Sequence, residues 1–513
     1  MAGSVTVPGL SGSTITQTFG NQQNFLLAQQ FANEIVAASR SDGLNITDAS
    51  TTGGAIPPPP TNSVSGGVNE LIITAGGVYS IPAGSQGAPD YLVILDNTAP
   101  VTIFGSPNTS IWGGGSHVTI VDPSTTVLSE GAGDAVATLT GAGDVLAGNN
   151  QNDTLLAVGT AESIAAGTGT NSLFASGTND SISAQGTNDT LFGGSGAATF
   201  QIASTGIGEA VFGGTGALSV TDAGTGDTIH GDGGQLNVTT SGSQALIVGS
   251  TVISQSGGLN VADVGHADTI TGGLGGTAVS LAGSDALVAG GLGALFVTDN
   301  GSSDTIAAGV GFTSVDAPNG SFVRGGSGQL NFVGGAGPSA LIGGSGNSTV
   351  FGGAGMTSLF GGAGGAVTYV NTTSGGLEYV GGSGSETLDA SLSKGVGELY
   401  GANDPAGHDL LIAGQNAQFL TAGTGSDTLV GGGGENGFFF WSGYDGGRND
   451  VISNFSAIDY VYLGGYGPGG AAAAIAGATT TGGSTTITLS DNTKITFIGV
   501  TGSAALNGHI YSA

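Results

Sequence analysis

Apolar positions recur along this chain every nine residues. Leu146, Leu155, Ile164, Leu173, Ile182 and Leu191 follow one another without a slip, each two residues after a polar side chain: Asp144, Asp153, Glu162, Asn171, Asp180 and Asp189. Each unit thus holds a polar turn rich in Gly and Asn, one carboxylate or amide, and a three-residue strand whose middle side chain points inward. A fixed internal period decides architecture before local propensity does. Two units close one coil, and the pattern predicts an all-β chain, a parallel β-solenoid of the β-roll or β-helix kind. Residues 18 apart then share an edge, so Asp144, Glu162 and Asp180 stack in one column and Asp153, Asn171 and Asp189 in the other.

A second regular run places GGxG at 325, 334, 343, 352 and 361. Between the two runs a longer unit appears three times, as DAGTGDTI from Asp222, DVGHADTI from Asp263 and DNGSSDTI from Asp299, with its aspartate pairs at turn-to-strand junctions. Residues 62–129 read as short apolar strands cut by turns (LIIT, YLVILD, VTIFG, SIWGG, HVTIVD), the N-terminal rungs of the same architecture. The repeats proper run over residues 130–434.

The two ends differ from the middle. Phe25, Ala28, Phe31, Ala32, Ile35 and Ala38 fall at helical spacing, which predicts one amphipathic helix able to dock on a neighbouring surface. Residues 41–61 are polar and finish in Pro57–Pro60, a stiff spacer, so residues 1–61 are an N-terminal extension. The VTV and STITQTF stretches near the start have the β-propensity to add strands to another copy. Residues 435–513 carry an aromatic strand, then NDVISNF, a D-x-V-x-L strand and a final hairpin, the β cap that an open coil requires. Phe438–Trp441 are read as core of that cap, with glycan stacking as the lesser reading.

Composition narrows the chemistry. Of 513 residues, 104 are glycine, about three times the usual ~7% share, which argues against a helical globule. Five Lys plus Arg against 36 Asp plus Glu give a net charge of −31, so nucleic acid and anionic membrane surfaces, which call for basic patches, are poor partners. No 18-residue apolar run exists to span a membrane. Cysteine is absent, which excludes disulfides, thiolate metal sites and cysteine nucleophiles.

The nonapeptide run resembles the RTX, or hemolysin-type, calcium-binding repeat family, whose unit is GGxGxDxUx with U apolar. The resemblance covers roughly residues 130–440 and the C-terminal end; it is specific in the regular runs and loose between 200 and 320. It implies a parallel β-roll with calcium in the turns between coils, and type I secretion directed by the uncleaved C-terminal region. The latter agrees with a start that shows no basic, uninterrupted apolar Sec-type signal. The same physics follows from the residues alone. Carboxylates stacked at the ~4.8 Å strand spacing repel, and a hard divalent cation held by carboxylates and turn carbonyls relieves that repulsion. The candidate calcium ligands are Asp134, Asp144, Asp153, Glu162, Asn171, Asp180, Asp189, Asp227, Asp268, Asp304, Asp409 and Asp427. Solvated turn-forming Asp and Asn are the competing reading. In the second run Leu330, Ser339, Ser348, Thr357 and Ala366 stand where the family has Asp, so the fold signal persists there without the ligands.

The last position of each unit should face outward. In the first run one outward column is small (Ala147, Ala165, Ser183) and the other large (Leu156, Phe174, Phe192). In the second run Val333, Phe351 and Tyr369 form one apolar column and Ile342 and Phe360 the other. An apolar ladder of this kind marks a contact surface or packs beneath a flanking segment.

Catalytic signatures are missing: the chain has no HExxH, GxSxG or GxxxxGK[ST], and its five histidines are scattered without ligand spacing. Too few basic residues accompany the acids to serve a polysaccharide lyase or epimerase. The reading is therefore a secreted, extracellular, calcium-dependent structural protein, not an enzyme. It self-associates into a fibre, surface layer or biofilm matrix, with a cell-surface polysaccharide as a further partner. The alternative is a monomeric secreted adhesin or glycan-binding module.

Overall fold

The structure, a computed structural model, describes the whole chain except residues 1–2, 20–21, 51–52, 86–89, 107–108, 114–116, 123–124, 130–134, 149–150, 204, 252–256 and 445. It divides into two compact units, Met1–Asp268 and Thr269–Ala513, and each is a parallel β-solenoid. Within each unit, successive strands alternate between two sheets. In the first unit, sheet 1 takes Leu44–Ala49, Val68–Ile73, Tyr91–Leu95 and Thr109–Gly113, and sheet 2 takes Gly77–Ser80, Val101–Phe104 and Val118–Asp122.

The nine-residue reading holds at the level of register. Leu146 pairs with Ile164 and Ile164 with Ile182 in sheet 1, while Leu155 pairs with Leu173 and Leu173 with Leu191 in sheet 2. All six are buried, stacking like on like at the centre of each coil. In the second unit the same centre holds Leu341 over Leu359, and Phe332 over Val350.

Two backbone features let the coils stack. The residue before several of the inward acidic positions is left-handed: Ala161, Asn179, Asn188 and Ala267 have φ of 58°, 62°, 57° and 59°. This kink returns the chain from turn to strand and aims the next side chain at the interior. In the same turns the coils touch through bare backbone. A Cβ at Gly216 would overlap the carbonyl oxygen of Gly196, and one at Gly196 would overlap that of Gly177. The glycine abundance thus answers a need for close approach as much as for positive φ.

The N-terminal segment folds back on its own solenoid. α1 (Gln22–Arg40) buries the predicted stripe of Ala28, Phe31, Ala32, Ile35 and Ala38. Their partners are Val5, Val7 and Ile15 of an antiparallel hairpin (Gly3–Pro8 with Thr14–Phe19) and Ile72, Leu92, Ile94, Trp112 and Ala147 of sheet 1. The helix docks within its own chain, and the VTV and STITQTF strands pair with each other. This also explains the small outward column, since Ala147 lies beneath the segment. The stretch read as a spacer is the first coil: Leu44–Ala49 opens sheet 1, and the carbonyls of Pro57 and Pro60 accept from Tyr91 Oη at 3.2 Å and Asn69 Nδ2 at 2.9 Å.

One outward assignment is corrected. Tyr369 pairs with Val350 and is fully buried, because the turn between them is one residue longer than the period. Val370 takes the outward place beside Phe351, and the absence of a side chain at Gly352 makes room for the phenol.

The C-terminal end closes the second unit. Asn436–Trp441, Tyr460–Gly464 and Ile510–Ser512 extend sheet 2, while Lys494–Phe497 adds to Asn449–Ser453 in sheet 1 and turns back as a hairpin with Ser484–Thr488. A short helix, α2 (Gly470–Ala476), lies over the last strands. Phe438 and Phe440 are core, as read, but Phe439 and Trp441 face outward. Among the described residues no helix is long and apolar enough to cross a membrane.

Candidate functional site

The acidic residues occupy the corners where a turn enters a strand, and their side chains point into the coil. Asp144, Glu162 and Asp180 form one column; Asp153, Asn171 and Asp189 form the other, and all six are buried. Asp134 lies outside the described residues.

Each corner side chain serves the coil before it. The backbone N–H of Asp153 donates to Asn171 Oδ1 (2.9 Å), that of Glu162 to Asp180 Oδ1 (3.2 Å) and that of Asn171 to Asp189 Oδ1 (2.7 Å). In Asp180 and Asp189 the second oxygen closes the local turn, accepting from the amide three residues back, Gly177 and Gly186; Glu162 accepts from Gly159 in the same way, and its other oxygen is buried without a partner. The column is therefore a ladder that satisfies turn amides which no strand can reach.

The ladder extends beyond the regular repeat. Glu209, fully buried, accepts from the amide of Asp189 at 2.6 Å, and its own amide donates to Asp227 Oδ1 at 2.8 Å. Asp268 accepts from the amide of Ala245 and Asp304 from that of Ala286, both at 2.8 Å. In the second unit the eighteen-residue pair Asp409 and Asp427 does stack, inside a longer column. The amide of Glu386 donates to Asp409 (2.9 Å), that of Asp409 to Asp427 (3.0 Å) and that of Asp427 to Asp450 (3.0 Å). Glu209, Glu386 and Asp450 escape a strict period because the turns before them are longer. The signal for each is an acid two residues ahead of an inward apolar one, Val211, Leu388 and Ile452.

The longer unit builds a different corner. Asp222 closes a sheet 1 strand and Asp227 precedes a sheet 2 strand, and the two buried carboxyls lie close enough across the turn for Asp227 to raise the proton affinity of Asp222. Asp263 and Asp268 repeat the arrangement, and the amides of Gly224, Gly265 and Gly301 donate to Asp222, Asp263 and Asp299 at 2.8, 2.7 and 2.8 Å. The second oxygens of Asp222, Asp227 and Asp268 are buried without a hydrogen-bond partner. Among the described residues only one Lys or Arg enters any of these columns: Arg448 Nε donates to Asp450 Oδ2 at 2.8 Å, with both side chains buried.

Burial without countercharge raises the proton affinity of these acids. Desolvation is the leading cause throughout. It carries Glu162, with Asp180 adding repulsion, to about 8, and Glu209, Asp222, Asp268 and Asp427 each to about 7. Asp180, Asp189 and Glu386 are raised for the same reason, and Asp450 is raised despite Arg448.

For calcium, the donor set separates the columns. In the single-acid columns most oxygens are occupied by backbone amides, Glu162 Oε2 and Glu386 Oε1 being the buried exceptions, and among the described residues no three Asp, Glu or His side chains converge on one point. The paired corners fit better: Asp222 with Asp227 and Asp263 with Asp268 offer hard oxygen donors, at least one of them unpartnered in each pair, where a cation can take the place of a proton. No protein-family model matches the chain, and no curated protein matches it.

Proposed function

We propose that this chain is a secreted RTX-type structural protein, not an enzyme, that folds under calcium control and assembles with copies of itself into an extracellular fibre, surface layer or matrix. The observation that carries the reading is the set of buried carboxyl pairs, Asp222 with Asp227 and Asp263 with Asp268, which are neutral only with a proton or a cation between them. In a cell interior poor in calcium such corners oppose coiling; outside, millimolar calcium bound by these residues and nearby turn carbonyls removes the opposing charge. Calcium supplies charge neutralisation there, and Asp222, Asp227, Asp263 and Asp268 are the residues that hold it.

Assembly is supported by the outward face of sheet 1 in the first unit. Ser181, Thr199, Ser219, Gln201, Thr221 and Thr239 are side by side in two columns with no charged residue among them, in a chain of net charge −31. Copies can meet on such a face without bringing like charges together. The acidic ladder is sealed in the coil interior, which suits a fold-holding role better than an acid–base one.

The test is size-exclusion chromatography and negative-stain imaging of chelated protein, before and after millimolar calcium. Ordered fibres or sheets that appear only with calcium support the proposal, and Thr221→Glu should suppress them. Isolated monomers in both conditions would leave an adhesin, a reading that the exposed aromatic side chains near residue 441 favour.

A further inference from the structure

The strands that end the second unit carry aromatic side chains on the outside of sheet 2. In register, Phe419, Gly437 and Tyr460 form one outward column; Phe439, Tyr462 and Tyr511 form the next; Trp441 and Gly464 form a third. Trp441, Phe419 and Tyr511 are 43%, 43% and 52% exposed.

Two glycines set how the rings lie. A Cβ at Gly437 would come within 2.7 Å of the Tyr460 ring, and one at Gly464 would overlap the Trp441 indole. Both rings therefore lie against bare glycine backbone on the outside of the sheet. The neighbours stand at an angle to them: Trp441 and Tyr462 are inclined at 66°, Phe439 and Tyr462 at 50°, and Tyr460 and Tyr511 at 70°, so these rings do not stack face to face. The first unit shows the contrast. Phe174, Phe192, Phe212 and His230 stack at 4.7, 5.3 and 5.7 Å with interplanar angles of 9°, 15° and 6°, which hides the faces and leaves only edges outward.

An open ring face takes up polarised C–H groups or a cation. The same sheet face continues into Glu378 and Glu398, whose carboxylates accept hydrogen bonds from hydroxyls, with Glu398 directly beside Phe419. On the other side, a groove of about 660 Å³ between α2 and the last strand presents Ser503 and Asn507 next to Tyr511. No Lys or Arg stands on these sheet 2 strands between Thr357 and Ser512, which disfavours an anionic glycan, nucleic acid or anionic membrane. A second copy seated face to face would bring Glu378 and Glu398 against their own kind.

We infer that this face binds a neutral polysaccharide, its pyranose C–H faces stacking on Trp441 and Tyr460 and its hydroxyls bonding to the flanking carboxylates and amides. The inference is independent of calcium-driven assembly and survives its failure. The experiment is affinity electrophoresis of the full chain through gels containing hydroxyethylcellulose, galactomannan or, as an anionic control, alginate. Retardation by at least one neutral polymer and none by alginate is expected, with Trp441→Ala and Tyr511→Ala each weakening it about tenfold or more, a loss of about 1.4 kcal/mol. Trp112, the second tryptophan, lies in the first unit and does not report on this end, so hydrogen exchange of the strand amides of residues 436–464 in Trp441→Ala, unchanged from the parent, certifies the local fold. No retardation by either neutral polymer would overturn the inference. So would retardation indifferent to both substitutions, or a change of Trp441→Ala from oligomer to monomer, which would make the patch an interface between copies.

Discussion

The backbone amide of Asn171 and its side-chain amide both donate to one oxygen, Oδ1 of Asp189, at 2.7 and 2.9 Å, one coil further along the chain. This relationship ties a turn to the next turn through a buried side chain, and it recurs with Glu162 and Asp180, Asp189 and Glu209, and Asp409 and Asp427. The acid at each corner is therefore both a member of its own turn and the acceptor for its predecessor.

Replacing Asp189 by Ala removes the acceptor for three donors, the two of Asn171 and the amide of Gly186. The expected loss is about 2–4 kcal/mol, because buried donors are left unsatisfied. Asp189→Asn keeps Oδ1 for both donors of Asn171 but turns an N–H toward the amide of Gly186, so it should cost less than alanine, about 1–2 kcal/mol. Urea unfolding of the two variants checks the difference.

The paired corners predict an unusual pH dependence. Unfolded aspartates titrate near ~4, whereas Asp222 and Asp268 hold their protons to about 7 when folded. Between these values the folded chain binds more protons than the unfolded one. The contribution is fully present below pH ~4 and is lost as pH rises through about 7. Thermal unfolding midpoints in chelator should fall from pH 5 to pH 8, and Asp222→Asn with Asp263→Asn should flatten the slope, since an amide donates where the proton did. Calcium should restore the midpoint at pH 8 in the parent and not in the double variant.

Glu70 lies in the outward face of sheet 1, between Ile46 and Leu92 in register and beneath α1 and its hairpin. It is 0% exposed with both oxygens unpartnered, and burial alone raises it to about 7. The neighbouring charged groups, Glu34, Arg40 and Asp48, are exposed and give it no countercharge. Its ionisation disfavours the docked helix, so the folded state weakens as pH rises through about 7. Glu70→Leu should gain about 3 kcal/mol at pH 8 and much less at pH 5, as read by hydrogen exchange of α1 amides.

How much of this could be read from the sequence depends on turn length. Leu146 to Leu191 declare the coil because every turn between them has the same length, and the acids two residues ahead declare the corner. Where turns lengthen, as before Glu209, Glu386 and Asp450, a fixed period passes over residues that the register stacks in the same column. Tyr369 failed for the same reason, one inserted residue exchanging inside for outside. The direction of the carboxylates was beyond reach, because composition gives an acid at a corner, whereas the backbone of the turn sets which way it points, and that backbone is left-handed before Asp189 but not before Asp153. The docking of α1 on its own sheet was likewise hidden: an amphipathic stripe names a buried face but not the partner.

The glycines supply a prediction that separates two physical causes. Gly216 has an ordinary φ, yet a methyl there would strike the carbonyl oxygen of Gly196 on the neighbouring coil. The carbonyl belongs to the backbone and cannot swing away, so Gly216→Ala should cost several kcal/mol, more than the ~0.5–1 kcal/mol by which alanine usually gains over glycine in the unfolded chain. Ala267 is the converse case. Its φ of 59° strains an L-residue, so Ala267→Gly trades that strain, about 1–2 kcal/mol, against greater unfolded-state entropy and should be neutral or modestly stabilising. Measuring both by chemical denaturation decides whether coil contact or backbone handedness sets the glycine demand. A Gly216→Ala variant as stable as the parent would mean that the coils can part at this turn, and the close-contact account would fail there.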